Sequence, residues 1–288
     1  MSQTPATPDQ TGQSEHPRIV TEAEWLRARR DLLVGEKQLT RQRDALAAAR
    51  RTMPMVEVTK NYVFHGPAGP ISLPELFDGR RQLIVYHFMF QPEWDEGCPS
   101  CSLLADSFGD NPVHLTARDT SFVVVSRAPM AKIEPFQRRM GWKFTWVSSA
   151  GTDFNDDAHV TIDEDAGLDE YNYDSVTKLK ELGRIFIDKG ELPGLSVFWR
   201  DGDRVFHTYS AYERGLDHLM NIYNYLDLTP LGRGIDDKDP YLMQWVRHHD
   251  RYPAPTNSID RVQRIGADRE RRRLRGSWPR RLGAGGAA

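Results

Sequence analysis

The 288-residue sequence predicts a three-layer α/β sandwich built on a mixed central sheet. The first observation is a run at residues 83–90 that is apolar on both faces, as expected for a central strand covered by helices on both sides. The second is the order that follows, in which strand and helix patterns alternate and end in a hairpin and a helix. The third is Cys98 and Cys101, the only cysteines of the chain, between that strand and the next helix.

Composition and charge exclude several classes of protein. With 38 basic and 41 acidic residues the net charge is −3, so no global field would attract nucleic acid or an anionic membrane. The longest nearly unbroken apolar run, residues 83–90, is far too short to span a bilayer. The N-terminus has neither the basic head nor the apolar core of a secretory signal. We therefore expect a cytoplasmic protein that binds neither a membrane nor a specific nucleic acid.

The N-terminal region divides into a polar segment and a long helix. Residues 1–17, rich in Ser, Thr, Pro and Gln, predict disorder. Residues 18–54 predict an amphipathic helix that begins with a capping box of Thr21 and Glu24. We expect this helix to pack on the domain; a coiled coil, and with it a homodimer, is the alternative. The apolar side chains that recur every seven residues are Trp25, Leu32, Leu39 and Leu46.

From residue 55 the sequence predicts one α/β domain that extends to residue 253. Residues 55–77 alternate, turn at two Gly-Pro pairs and end in a short helix, as in a β-hairpin that leads into a helix. In the strand at 83–90, alternation places His87 on one face and Tyr86 on the other. The elements predicted after the cysteines are helices to residue 109, over 112–118 and over 130–140, and strands over 122–126 and 142–149.

The second half of the chain contains an insertion, a closing hairpin and a basic tail. Residues 150–183 are polar and turn-rich without a sustained period, which predicts an insertion. Residues 195–209 predict a hairpin that turns at Gly202, and residues 213–226 predict a closing helix. The tail at 254–288 holds nine arginines and three acids, which is typical of a solvated extension of low order.

Strand, helix, strand, helix, strand, hairpin and helix, with Cys-x-x-Cys at the first strand–helix junction, is the order of a thioredoxin-like fold. Pro99 and Ser100 fit the first helical turn, which places Cys98 at the N-cap beside unpaired backbone N–H groups that favour a thiolate. Cys101 lies three residues on, on the same face of the turn, and can attack a mixed disulfide formed at Cys98. The prediction is therefore Cys98 as nucleophile and Cys101 as resolving thiol.

Metal binding and inert thiols are the alternatives for this pair. A structural zinc site needs four ligands, and no second cysteine pair is there to complete a set with Cys98 and Cys101. We therefore predict neither a metal nor another cofactor. Glu93, Asp95 and Glu96 precede the pair, where they would either oppose thiolate formation or only keep the loop solvated.

Seven segments of the sequence carry a resemblance to a known family. They are LIVYHFMFQPEWDEGCPSC (83–101), VSRAP (125–129), RRMGW (138–142), WVSS (146–149), DFN (153–155), FHTYS (206–210) and LDLTPLGR (226–233). Together they resemble a bacterial thioredoxin-like family of the thioredoxin-fold superfamily, known only as domain of unknown function 899. The resemblance runs over about residues 22–252 and implies the fold. The family has no established substrate, so the resemblance implies no reaction.

The site differs from those of ordinary thioredoxins and peroxiredoxins. The active-site Trp of thioredoxins directly precedes the first Cys, whereas Trp94 lies four residues before Cys98. Their cis-proline precedes the hairpin strand and faces the cysteines, so Pro193 is the corresponding candidate, and the sequence leaves open whether its peptide bond is cis. Peroxiredoxins share a similar N-terminal hairpin and helix, but Asp95 stands where they have Thr or Ser before the reactive Cys.

Four further residues are candidates with a structural alternative. Arg127 directly follows a central strand, where open α/β sheets place ligand contacts; it would steady the Cys98 thiolate or an anionic substrate, or else form a salt bridge. Trp142 and Trp146 fit the core better than a substrate groove. His87 fits a buried, hydrogen-bonded histidine better than a proton relay.

The function predicted from these residues is thiol–disulfide oxidoreductase activity. Its partners would be a protein or small-molecule disulfide as substrate and a reductant that the sequence does not identify. One alternative is reduction of a peroxide, with Cys98 oxidised to a sulfenic acid. The other is a binding module that uses the fold only as a scaffold.

Overall fold

The computed structural model describes residues 17–234 and 243–253. The predictions for residues 1–16 and for the basic tail at 254–288 fall outside these residues. The chain divides into one unit that ends at His249 and a second that begins at Asp250, of which residues 250–253 are described. All strands and α-helices given next belong to the first unit.

Twelve strands and seven α-helices are present in the described part of the chain. The strands are β1 (Val56–Glu57), β2 (Val63–Gly66), β3 (Gly69–Ser72), β4 (Gln82–His87), β5 (Thr120–Ser126), β6 (Thr145–Ser148), β7 (Thr161–Asp163), β8 (Glu170–Tyr171), β9 (Asp174–Ser175), β10 (Lys189–Glu191), β11 (Gly194–Asp201) and β12 (Arg204–Tyr212). The α-helices are α1 (Glu22–Arg51), α2 (Pro99–Ala105), α3 (Asn111–Thr116), α4 (Met130–Met140), α5 (Phe154–Asp157), α6 (Val176–Glu181) and α7 (Asn221–Leu226).

Eight strands form one mixed sheet in the order β1-β12-β11-β4-β5-β6-β2-β3. Strands β4, β5 and β6 run parallel, and helices connect them. Strand β11 lies antiparallel to both β4 and β12. The order β12-β11-β4-β5, with helix α2 after β4 and helix α7 after the β11–β12 hairpin, is the arrangement of a thioredoxin fold. The predicted fold class is confirmed.

The sheet is covered on both faces, as the apolar run at 83–90 predicts. Tyr86 and Phe88 lie in a core that includes side chains of helices α2 and α4. Leu83 and Val85 lie in a second core on the opposite face, and all four side chains are at most 2% exposed. Burying a side chain of this size contributes on the order of 1.5–3 kcal/mol. The alternation along this strand therefore specifies both faces of the sheet.

Strand β4 ends at His87, three residues earlier than predicted. Its neighbour β11 begins at Gly194, directly opposite His87, so among the described residues the chain beyond has no strand partner on that side. On the other side the pairing continues, because the Phe88 N–H donates to the Val125 carbonyl at 2.9 Å. The chain therefore runs on beside β5 and leads into the loop before Cys98.

The closing helix predicted at 213–226 is two elements. A 3₁₀ helix spans Glu213–Leu219, and α7 begins at Asn221 because the buried Met220 between them is extended, with φ −84° and ψ 95°. The Asn221 N–H donates to the Ser107 hydroxyl at 3.0 Å. The helix that the apolar spacing predicts to be continuous is thus interrupted at Met220, beside a hydrogen bond to a residue distant in sequence.

The insertion predicted at 150–183 supplies most of a third buried cluster. Its elements, α5, α6, β7, β8 and β9, are two to six residues long, too short to show a sustained period. With β10 they form two small sheets, β10-β7 and β8-β9. The buried apolar side chains of this cluster are Val160, Ile162, Tyr171, Val176, Leu179, Ile185 and Tyr212.

Helix α1 has the predicted start but not the predicted packing. The Thr21 hydroxyl accepts from the Glu24 N–H at 3.3 Å, and the Thr21 N–H donates to the Glu24 carboxylate at 3.0 Å. None of its residues is buried, so the apolar side chains expected to pack on the domain are exposed. No helix in the part of the chain that the structure describes has both the length and the apolar character needed to cross a membrane.

Candidate active site

Cys98 is the N-cap of helix α2, and Pro99 is the first helical residue. These are the positions predicted from the sequence. The Cys98 backbone is non-helical, with φ −57° and ψ 130°, yet its carbonyl accepts the first helical hydrogen bond from the Ser102 N–H at 2.9 Å. Proline is favoured at this position because its missing N–H would have no intrahelical partner. A local signal thus places Cys98 where backbone N–H groups are free.

The two cysteine side chains lie 4.0 Å apart and form no disulfide. Cys98 is partly exposed, whereas Cys101 is only 2% exposed. The Met89 N–H donates to Cys101 Sγ at 3.5 Å and ties the inner thiol to the segment that follows β4. A substrate can therefore reach Cys98 first, with Cys101 close behind it.

The surroundings of the pair shift the pKa values of the two thiols in opposite directions. The Cys101 thiol donates a hydrogen bond to Cys98 and lowers the pKa of Cys98 to about 7. The backbone N–H groups of Cys101 and Ser100 and the Ser100 hydroxyl act in the same direction, against burial, which raises this pKa. Burial raises the pKa of Cys101 well above its ordinary value. The thiolate of the pair is therefore on Cys98 and the proton on Cys101.

Tyr86 belongs to this site, although sequence analysis did not identify it. Its side chain is 1% exposed, and its phenol hydrogen bonds to the Cys101 thiol. Burial raises the pKa of Cys101, and this hydrogen bond counteracts part of that rise. Alternation along the strand places Tyr86 on one face with Phe88, but only the packing of α2 against that face brings Cys101 to it.

Helix α4 holds the loop between β4 and α2. The Lys132 ammonium donates to the carbonyls of Pro92 at 2.7 Å and Trp94 at 2.8 Å. The Trp94 side chain is partly buried against the same core as the cysteines. Arg139 forms an ion pair with Glu96, one of the three acidic residues that precede the cysteine pair. The negative charge of Glu96 is therefore balanced by a basic partner.

His248 hydrogen bonds to Gly97, the residue directly before Cys98. Its Nε2–H donates to the Gly97 carbonyl at 2.8 Å, and the histidine is 3% exposed. Its other ring nitrogen, Nδ1, lies 2.9 Å from the Arg139 guanidinium, which can only donate. Nδ1 is therefore the acceptor and Nε2 carries the proton. The sequence offers no local signal for a contact between residues this far apart.

Gly97 leaves no room for a side chain. An added Cβ would lie 2.5 Å from Phe88 Cε1 and 2.7 Å from Phe136 Cε1, and both rings are buried. Gly97→Ala should therefore lower the free energy of unfolding by about 1–3 kcal/mol, the usual cost of overpacking a core. Urea denaturation measures the loss. In the control variant Gly215→Ala the new methyl meets its nearest neighbour at 3.5 Å; equal losses in both variants would contradict the crowding argument.

Arg127 pairs with two carboxylates. Its guanidinium contacts Asp156, and its Nε lies 3.0 Å from Glu191 Oε1. Glu191 is 4% exposed and also accepts hydrogen bonds from Asn155 at 2.6 Å and Thr161 at 3.0 Å. Burial raises the pKa of Glu191, and the hydrogen bonds and Arg127 oppose that rise. Of the two roles predicted for Arg127, the structure shows the salt bridge. The side chain is partly buried rather than fully on the surface.

Pro193 directly precedes β11 at the end of the sheet that leads to the cysteines. None of the peptide bonds among the described residues is cis, so the bond before Pro193 is trans. Its carbonyl accepts a hydrogen bond from the Tyr171 hydroxyl at 2.7 Å. Pro193 thus directly precedes the hairpin strand, as predicted, but does not have the cis bond of thioredoxins.

The remaining candidates lie in or against the core. Trp146 is 1% exposed, and the Trp142 indole, packed against the same core, donates to Asp106 at 2.8 Å. His87 is 1% exposed and hydrogen bonds to the Ser196 hydroxyl at 2.9 Å. Burial lowers the pKa of His87 to about 3, so this histidine is neutral near pH 7.

Fold and site together define a thioredoxin-fold protein with two cysteines at the first turn of the helix that follows a central strand. Across residues 17–234 and 243–253, no three His, Cys, Asp or Glu side chains are grouped so that they could hold a metal ion. The chain belongs to the family described as "Bacterial protein of unknown function (DUF899)", whose model matches residues 14–252. The predicted family is confirmed. No curated protein matches the sequence.

Solved structures similar to this chain include peroxiredoxins and one further protein. A cysteine mutant of PrxQ from Xylella fastidiosa is 12% identical, covering 60% of this chain and 96% of its own, with a TM-score of 0.38. Peroxidoxin BcpB from Mycobacterium tuberculosis is 14% identical, covering 59% and 94%, with a TM-score of 0.36. A candidate protein disulfide isomerase from Bacteroides thetaiotaomicron is 12% identical, covering 60% and 89%, with a TM-score of 0.34. Identities and TM-scores this low indicate neither a substrate nor a reaction for this chain.

Proposed function

We propose that this protein is a thiol–disulfide oxidoreductase that acts through Cys98 and Cys101. The observation that carries the proposal is the placement of the pair, with Cys98 partly exposed at the N-cap of α2 and Cys101 buried 4.0 Å from it. The partly exposed Cys98 has a pKa lowered to about 7, and the buried Cys101 has a raised pKa. Thiol–disulfide exchange requires an accessible thiolate as nucleophile and a second thiol within reach of the mixed disulfide. The two cysteines have these properties in the order that the reaction needs.

The reaction consists of two steps. The Cys98 thiolate attacks one sulfur of a substrate disulfide R–S–S–R′, which forms the bond Cys98–S–S–R and releases R′–S⁻. Cys101 then gives up its proton, which the released R′–S⁻ can accept, and its thiolate attacks Cys98 Sγ, which releases R–S⁻ and forms the Cys98–Cys101 disulfide. The substrate gains the two electrons that the pair loses, so a reductant that supplies two electrons must restore the pair. The Tyr86 phenol can donate a hydrogen bond to the Cys101 thiolate as it forms.

Trapping of the mixed disulfide tests this assignment. With oxidised glutathione as probe, Cys101→Ser should accumulate a glutathione adduct on Cys98, because the resolving thiol is gone. Cys98→Ser should form this adduct slower by about two orders of magnitude, because the remaining thiol is buried and has a raised pKa. Intact-protein mass spectrometry under non-reducing conditions measures both.

Each alternative function predicts a different outcome. Equal trapping by both variants, or by neither, would contradict the proposal. Consumption of hydrogen peroxide that is lost in Cys98→Ser, without trapping of a disulfide substrate, would assign the pair to peroxide reduction. Full biological function of the Cys98→Ser/Cys101→Ser double variant would instead indicate a binding module.

A further inference from the structure

We propose that helix α1 joins two copies of this chain as an antiparallel coiled coil. This interface is separate from the cysteine pair and does not depend on the proposed chemistry. Helix α1 contains 30 residues, none of them buried; at 1.5 Å per residue it is about 45 Å long. Most of the stability of a helix in a protein comes from the packing of its apolar face. A helix of this length with its apolar side exposed is therefore expected to pack against a partner.

One line of exposed residues, here called the seam, runs along this helix in alternating steps of three and four residues. Such a spacing keeps the residues on one side and is that of a two-stranded coiled coil. The large members of the seam, 48–61% exposed, are Trp25, Leu32, Leu39 and Leu46. The members three residues after each of these are smaller or flexible, also exposed, and are Ala28, Gly35, Gln42 and Ala49.

The contacts of α1 with its own domain lie beside the seam and leave it open. The Arg50 guanidinium lies 5.1 Å from the centre of the Tyr209 ring. Arg43 lines a surface pocket together with Asp217 and His218. Arg43 directly follows Gln42 and Arg50 directly follows Ala49, so both lie on the flank of the seam. The domain thus positions the helix without covering the apolar side chains.

The alternation of size along the seam favours an antiparallel pair. In that orientation each large member lies opposite a small or flexible one of the second copy. An added Cβ at Gly35 would have no atom within 4 Å, so the partner's Leu39 has room there. Glycine inside an exposed helix otherwise costs about 1 kcal/mol relative to alanine. A parallel pair would place leucine opposite leucine and glycine opposite glycine. Overcrowded contacts and cavities would then alternate along the interface. The opposed pairs would be Trp25 with Ala49, Leu32 with Gln42, Leu39 with Gly35 and Leu46 with Ala28.

Charge favours the same orientation and the same occupant. The first turn of the helix carries Glu22 and Glu24, and the last turn carries Arg50 and Arg51. An antiparallel pair brings the acidic start of each helix to the basic end of the other and opposes the two helix dipoles. The seam is therefore complementary to itself, as the interface of a two-fold symmetric dimer must be. The structure assigns the seam to a second copy of this chain.

The mass of the full-length protein in solution tests the proposal. Light scattering after gel filtration, in reductant so that Cys98 and Cys101 cannot crosslink chains, should give the mass of a dimer. Leu32→Asp/Leu39→Asp should give a monomer, because two charges enter the apolar seam of each copy. Arg30→Asp/Lys37→Asp, on the opposite side of the helix, should remain a dimer.

Crosslinking tests the orientation. On a Cys98→Ser/Cys101→Ser background, Ala28→Cys and Leu46→Cys should crosslink when the two variants are mixed and oxidised. Ala28→Cys alone should crosslink poorly, and efficient crosslinking of this variant to itself would overturn the antiparallel arrangement.

Two results would overturn the interface itself. One is a protein that is monomeric at every concentration measured. The other is a dimer whose mass Leu32→Asp/Leu39→Asp leaves unchanged. If instead the protein is monomeric and this variant lowers its free energy of unfolding, the seam is covered within one chain, which also contradicts the proposal.

Discussion

At pH 7, iodoacetamide should alkylate Cys98 of the reduced protein about two orders of magnitude faster than Cys101. A pKa of about 7 leaves about half of Cys98 as thiolate at that pH. Cys101 is 2% exposed and burial raises its pKa, so both its thiolate fraction and its access to the reagent are smaller. Tandem mass spectrometry after short exposures locates the label on either cysteine and measures the two rates.

The rate of Cys98 alkylation should rise with pH through a midpoint near 7, because the thiolate is the reactive form. In Cys101→Ala the midpoint should move upward, since the hydrogen bond from the Cys101 thiol is the largest cause of the lowered pKa. Ser100→Ala removes a weaker contribution and should move it less. A midpoint near the pKa of a free cysteine, about 8.5, would contradict the assignment of Cys98 as the nucleophile.

Arg127→Met should lower the free energy of unfolding by about 3 kcal/mol at pH 7. The change keeps most of the side-chain volume but removes the charge that faces Asp156 and Glu191. Glu191 is 4% exposed, so its carboxylate would stay buried with hydrogen bonds from Asn155 and Thr161 but without an opposite charge. A buried charge left without its partner is strongly destabilising. Urea denaturation at pH 7 measures the loss.

The loss in Arg127→Met should be smaller at lower pH. Burial raises the pKa of Glu191, and removal of the guanidinium raises it further. A carboxyl group whose pKa is higher in the folded than in the unfolded state destabilises the fold as pH rises from the unfolded-state pKa through the folded-state pKa. Below both pKa values it has no such effect. The difference between variant and unmodified protein should therefore shrink from pH 7 towards the raised pKa of Glu191.

A surface ion pair provides the control for this prediction. Arg204 contacts Glu57 at 2.7 Å, and the two side chains are 60% and 39% exposed. Arg204→Met should cost less than about 1 kcal/mol, because exposed pairs gain little over their interaction with water. If both substitutions cost the same, burial of Glu191 is not the cause of the loss in Arg127→Met.

Elements with a local cause were predicted well. Helix α4 spans the predicted residues, Met130–Met140, because Gly141 adopts a left-handed backbone (φ 68°) and ends it. The N-cap position of Cys98 follows in the same way from Pro99, the residue directly after it. The two faces of strand β4 follow from alternation alone. In each case the cause lies within a few residues of the effect.

Elements whose structure depends on residues distant in the chain were not predicted well. The closing helix is divided at Met220 where Asn221 hydrogen bonds to Ser107. The insertion has a buried cluster although none of its short elements shows a period. The face of α1 that the sequence assigns to the domain is exposed. Which segments meet depends on the order of strands in the sheet, and no local pattern records that order.

The fold class, the family and the cysteine pair at the start of a helix could all be predicted before the structure was known. Periodicity, capping and motif spacing are local properties, and they are sufficient for the fold class and the position of the pair; the family follows from the resemblance of seven segments. The partners of these residues come from the packing of segments far apart in the chain. Tyr86 lies beside Cys101, His248 contacts Gly97, and Arg127 lies between two carboxylates. No local pattern predicts these contacts, because the ionisation of a buried thiol or carboxyl depends on every charge and hydrogen bond that packing brings to it from anywhere in the chain.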